Sequence, residues 1–150
     1  MVIHQDFREL LNLLNENHVE YLVVGAFALG FLGSPRSTGD LDVWIRPDEI
    51  NAKRIIKALN DFGLASLGYK EADFVNKNTI VQLGVQPVRI DIFMNIDGVE
   101  FDDAFKNRNT VESKGVIINY ISKEDFIKNK KATGRLKDLA DIESLALIRK

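Results

Sequence analysis

The chain has 150 residues, 45% apolar and 28% charged, with a formal net charge of −2 and no cysteine. That length suits one domain over 1–150 that buries about 68–70 % of its unfolded surface, and the missing cysteines exclude disulfides, thiolate metal sites and cysteine nucleophiles. No global positive field points to nucleic acid, no apolar run nears the ~20 residues of a membrane-spanning helix, and the N-terminus lacks a signal-peptide pattern, so a cytoplasmic protein without membrane contact is expected.

Phe7, Leu10, Leu11 and Leu14 recur at helical spacing behind Asp6, which predicts a helix over 6–18 with Asp6 as its cap. Residues 21–24 (YLVV) read as a short buried strand ended by Gly25, and 26–31 as a short helix closing near Gly30 or Gly33. Residues 34–39 (SPRSTG) are punctuated like a loop. Residues 40–45 (DLDVWI) alternate and carry β-branched and aromatic side chains, as a strand does. Pro47 suits the first turn of the next helix, and Asp48 and Glu49 suit its positive end. Ile50, Ile55, Ala58, Leu59 and Phe62 would form its apolar face before Gly63 stops it.

Two strands are expected at 79–83 and 88–94 around a turn at 84–87, then a turn at 95–98, a short helix at 102–106 and a strand at 116–121. Ser122 and Asp125 form a weak capping box for a helix through Lys131, and a last helix runs over 136–147 after Gly134. Interleaved strands and helices predict an α/β (α+β) fold, a small mixed sheet flanked by helices.

Asp40 and Asp42 break the apolar logic of their strand. At alternate positions they project to one side, Cα atoms about 6.5–7 Å apart, while Leu41 and Val43 point into the core. Like charges so placed call for a cation. On its own an acidic pair reads as a solvated sheet face, but Asp91 in VRIDIFM supplies a third acid opposite in phase to Ile90 and Ile92. If the two strands are neighbours, the acids converge into an oxygen-rich site suited to Mg²⁺ or Mn²⁺, and two such ions serve phosphoryl chemistry.

The Gly25-Ala26 turn, from strand into helix, offers backbone N–H groups to an anion, and Ser34, Arg36, Ser37 and Thr38 add phosphate-compatible donors. Over 123–137 six basic residues (Lys123, Lys128, Lys130, Lys131, Arg135, Lys137) face two acids (Glu124, Asp125), a patch able to hold phosphates. Asp138 and Asp141 share a helical face and would orient Arg135 or Lys137 by ion pairing. Trp44 reads as core, and His4 and His18 as surface residues.

Val24-Gly25-Ala26, then Asp40-Leu41-Asp42-Val43, then Ile90-Asp91-Ile92 resembles the signature of the DNA polymerase β-type nucleotidyltransferase superfamily. Residues 34–45 (SPRSTGDLDVWI) and 130–145 resemble, more closely, small bacterial nucleotidyltransferases related to the AbiEii toxin component and minimal nucleotidyltransferases. The likeness implies the nucleotidyltransferase fold, with Asp40, Asp42 and Asp91 as catalytic metal ligands and Asp91 also helping to activate the acceptor hydroxyl. It further implies an NTP beside Gly25 and Ala26, its phosphates near Arg36, Ser37 and Thr38, and a C-terminal motif containing Lys131, Arg135, Lys137 and Asp138. Ala26 departs from the usual Gly or Ser, so backbone donation survives there but a hydroxyl contact does not.

The expected reaction transfers a nucleoside monophosphate from an NTP to a hydroxyl and releases pyrophosphate, with two Mg²⁺ (or Mn²⁺) ions. The acceptor is left open between an RNA end, a protein and a small molecule. The alternative is a catalytically weak nucleotide-binding or toxin–antitoxin-type regulatory module of the same fold. A nuclease or phosphatase using the same metals fits the glycine-turn spacing less well.

Overall fold

The computed structural model describes residues 4–34, 39–85 and 88–147. Helix α1 spans Gln5–Glu16 and buries Phe7, Leu10, Leu11 and Leu14. Its cap is His4, whose Nδ1 accepts from the Asp6 N–H at 3.0 Å, so Asp6 stands in the first turn and not at the cap. The helix ends earlier than predicted because Asn17 caps it and His18 turns to φ 56°.

Strand β1 (Tyr21–Val24) is buried throughout, and helix α2 (Gly25–Phe31) follows without a loop. Strand β2 is Asp40–Ile45, with the predicted bounds. Helix α3 is Glu49–Asp61, and its cap is Asp48, whose side chain accepts from the Asn51 N–H. Pro47 therefore precedes the cap instead of occupying the first turn. Ile50 leaves the apolar face, 65% exposed, because the buried stripe runs through Ala52, Ile55, Ala58 and Leu59. Two 3₁₀ turns, Ala65–Leu67 and Glu71–Phe74, have no periodic signal in the sequence, yet the second buries Phe74 completely.

Strands β3 (Ile80–Val85) and β4 (Val88–Phe93) form a hairpin. β3 reaches further than predicted because Gly84, at φ +73°, stays paired with Arg89; a Cβ there would lie 2.4 Å from the Val88 carbonyl oxygen. Helix α4 (Phe101–Lys106) and strand β6 (Val116–Tyr120) fall near their expected places. Strand β5 (Asn109–Ser113), unpredicted, pairs with β6 along an edge. Helix α5 (Lys123–Thr133) is capped by Ser122, which accepts from the Asp125 N–H, and closes at Gly134 in the left-handed region; helix α6 is Leu136–Ala146.

The sheet order is β3-β4-β2-β1-β6-β5. β2 runs antiparallel to β1 and parallel to β4, while β6 runs parallel to β1, so the sheet is mixed and flanked by helices as expected. One face is core: Leu41, Val43, Ile90 and Ile92, each at most 2% exposed, cluster with Leu10 and Leu11 of α1 and Ile55 and Leu59 of α3. The other face carries the acids. Among the described residues no helix is long and apolar enough to cross a membrane.

Candidate functional site

The parallel register of β2 and β4 sets Asp42 opposite Asp91 and Asp40 opposite Arg89. Because side chains alternate along strands in register, all four project from the same sheet face. Antiparallel pairing on the other side sets Val24 opposite Asp42, so the chain turns into α2 directly beside that carboxylate. Gly25 makes the turn at φ +66°, and a Cβ there would stand 2.1 Å from Asp42 Oδ2. Only glycine allows both this backbone and this approach.

Burial, reinforced by Asp91 and Asp40, pushes the Asp42 carboxyl up to about 7, while Lys130 and Arg89 pull the other way. Asp91, 6% exposed, accepts from Arg89 through both oxygens, Nε to Oδ1 at 3.0 Å and Nη2 to Oδ2 at 3.1 Å. Arg89 was not singled out in the sequence, although its position two residues before Asp91 on one strand places both on one face.

A cleft of about 370 Å³ opens over this face. Val24, Gly25 and Asp42 form its floor; Ile80, Phe93 and residues 95–97 make one wall, and Asn129, Lys130, Thr133 and Arg135 the other. The wall at 95–97 is pinned to α5, since Asn129 Nδ2 donates to the Asp97 carbonyl at 3.0 Å. Gly98 packs so closely there that a Cβ would lie 2.6 Å from Ala132 Cβ.

The cation of α5 that faces the cleft is Lys130, 9% exposed. Its Nζ lies 3.1 Å from Asp138 Oδ1 and 3.8 Å from Asp141 Oδ2. Asp138, 1% exposed, also accepts from Thr133 Oγ1 and from Arg135 Nε, each at 2.6 Å. Burial alone would raise its pKa, but the hydrogen bonds from Thr133, Arg135 and Lys130 outweigh it and hold the carboxyl at about 2. Asp138 is therefore the anchor of two cleft cations. Asp138 and Asp141 share a face as expected, and the ion pair to Arg135 is present.

Lys131 and Lys137 are exposed and lie outside the cleft lining. Ala26 is buried beneath the turn. Arg36, Ser37 and Thr38 lie outside the described residues; the flanks of their segment are tied down, Ser34 to Ser144 Oγ at 2.9 Å and the Gly39 carbonyl to the Arg89 N–H at 3.3 Å. Trp44 is core, 1% exposed and edge-on to Phe101.

The donors on the acid face are carboxylate oxygens, which suit Mg²⁺ or Mn²⁺, and the raised Asp42 marks the charge that such a cation would neutralise. Among the described residues no three acids or histidines are drawn together tightly enough to hold an ion as they stand. Arg89 takes one lone pair of each Asp91 oxygen and leaves the others for an incoming ion. The chemistry of the donors fits the cation.

Three solved structures share the fold. A putative nucleotidyltransferase from Thermotoga maritima matches 93% of this chain and 88% of its own, at 20% identity and a TM-score of 0.57. The lincosamide antibiotic adenylyltransferase LnuA, lincomycin-bound, matches 99% of both chains at 19% identity and a TM-score of 0.58. An antigenic nucleotidyltransferase-like protein from Paracoccidioides brasiliensis matches 96% of this chain and 76% of its own, at 16% identity and a TM-score of 0.52. No curated protein matches. The family described as "Nucleotidyl transferase of unknown function (DUF2204)" matches residues 3–150, and with that match the chain belongs to this family of nucleotidyl transferases.

Proposed function

We propose that this nucleotidyl transferase moves a nucleoside monophosphate from an NTP to a hydroxyl, with Asp40, Asp42 and Asp91 as the ligands of Mg²⁺ or Mn²⁺. The observation that carries the reading is the pairing of Asp42 with Asp91 across two parallel strands, with Asp42 lining one cleft together with Gly25, Lys130 and Arg135. When bound, two divalent ions would supply charge neutralisation at the attacking and leaving oxygens. Lys130 and Arg135 would meet the triphosphate, and Asp138 keeps both aimed at the cleft. Gly25 leaves the floor open beside Asp42.

In the transfer the acceptor oxygen bonds to the α-phosphorus and its proton passes to Asp91. The bond to the bridging oxygen breaks, and pyrophosphate leaves with the electron pair. The narrower relation to AbiEii-type enzymes is part of this proposal and rests on residues 34–45 and 130–145. The nucleotide would lie between Gly25 and Lys130, and the acceptor stays open among an RNA end, a protein and a small molecule.

Incubation with α-³²P-labelled NTPs, Mg²⁺ and pooled acceptors tests this. Label transfer should require the metal and fall at least about a hundredfold in Asp42→Asn and in Asp91→Asn, the scale of losing one group that stabilises the transition state. Transfer at the wild-type rate in Asp42→Asn would overturn the assignment. Label bound but never transferred would leave a nucleotide-binding module.

A further inference from the structure

The cleft has an apolar end. Pairing sets Trp44, Phe93 and Ile80 in one row across β2, β4 and β3, directly below the row of Asp42, Asp91 and Gln82. Trp44 is sealed in the core, but Ile80 is 53% exposed and Phe93 and Ile96 are half-buried, and all three line the cleft. An isoleucine bared on an edge strand within a polar cleft is apolar surface that the fold itself does not bury.

Resting on the reading above, we propose that the acceptor is a small, uncharged or cationic molecule whose hydroxyl is carried on an apolar body, and that this body lies on the ledge of Ile80, Phe93 and Ile96. Position gives the first reason. Phe93 follows Asp91 by two residues on the same face, about 6.5–7 Å along the strand, so a molecule on the ledge presents its hydroxyl to Asp91. Gly25 stands on the other side of Asp42 from β4, where the phosphates would lie.

Charge gives the second reason. Among the described residues the basic side chains lining the cleft are Lys130 and Arg135, both already bonded to Asp138. Asp97 stands exposed at the ledge end. An RNA acceptor would bring a phosphate per nucleotide toward that carboxylate. Size gives the third. The cleft, about 370 Å³ for nucleotide and acceptor together, leaves room for a small acceptor body only, whereas a protein partner would need roughly 800 Å² of matching surface. The pinned turn at 95–98 keeps this wall in place.

Methyl-labelled protein titrated by NMR in Mg²⁺ tests the ledge with three probes: hexyl β-D-glucoside, an RNA pentanucleotide with a free 3′-hydroxyl, and a non-hydrolysable ATP analogue. The glucoside should move the Ile80 and Ile96 methyl signals saturably, the RNA should leave them in place, and Ile80→Asp should weaken the glucoside about tenfold or more. Saturable shifts of those methyls by the RNA would overturn the proposal, as would no saturable shift with the glucoside. The same methyls moved by the ATP analogue alone would make the ledge a seat for the base and would also overturn it. An analogue that fails to move the Val24 and Thr133 methyl signals counts instead against the nucleotide site, and leaves the ledge result to be read by itself.

Discussion

Gly25 tests the site without removing any functional group. Alanine there would push its Cβ to 2.1 Å from Asp42 Oδ2 on a backbone at φ +66°, so Gly25→Ala should cost about 1–2 kcal/mol in the left-handed region and, by displacing the carboxylate, lower transfer at least about tenfold. Chemical denaturation and an initial-rate assay separate the two losses. Asp42 itself links folding to pH. Its carboxyl titrates at about 7 in the fold against 3.8 as a free group. Both states are protonated below that lower value. Between it and the upper one the unfolded chain ionises while the folded carboxyl resists, so stability is lost as pH rises and levels off above about 7. The loss is of order a few kcal/mol, and Asp42→Asn should flatten the slope in metal-free denaturation curves. Alternation made the three acids legible in the sequence, whereas which lysine of the basic patch lines the cleft depends on helical phase, about 100° per residue, and falls to Lys130.

The corner of α5 and α6 is a charge cluster built across two helices. Asp138→Ala would leave Lys130 buried without its nearest carboxylate, and should cost about 3–5 kcal/mol. Lys130→Met with Asp138→Leu removes both charges together and should restore most of that stability while transfer stays lost, which thermal melts and labelled NTP resolve. Both helices were legible from Ser122, Gly134 and their apolar spacing. Strand β5 was not: Asn-Thr-Val-Glu-Ser holds one apolar residue, and its strand character comes from pairing with β6 at an edge. The two 3₁₀ turns are too short to show a period.

Across the whole molecule the site depends on strands far apart in the chain, and sequence patterning could name those strands but not their order. That β2 lies between β1 and β4 is settled by packing, since each of the three carries a full apolar face. Trp44, the single tryptophan, lies two residues from Asp42 and is 1% exposed, so its emission reports global unfolding beside the acids. Mg²⁺ at a hundredfold its Kd should stabilise the fold by about 2.7 kcal/mol. EDTA should reverse that gain, and Asp42→Asn should abolish it in fluorescence-monitored melts. The anchoring of Lys130 by Asp138 also has a bearing on synthesis. Synthesis joins all three acids and Lys130 to the chain before residue 138, so a chain halted short of α6 has the acids but lacks the carboxylate that holds Lys130 and Arg135.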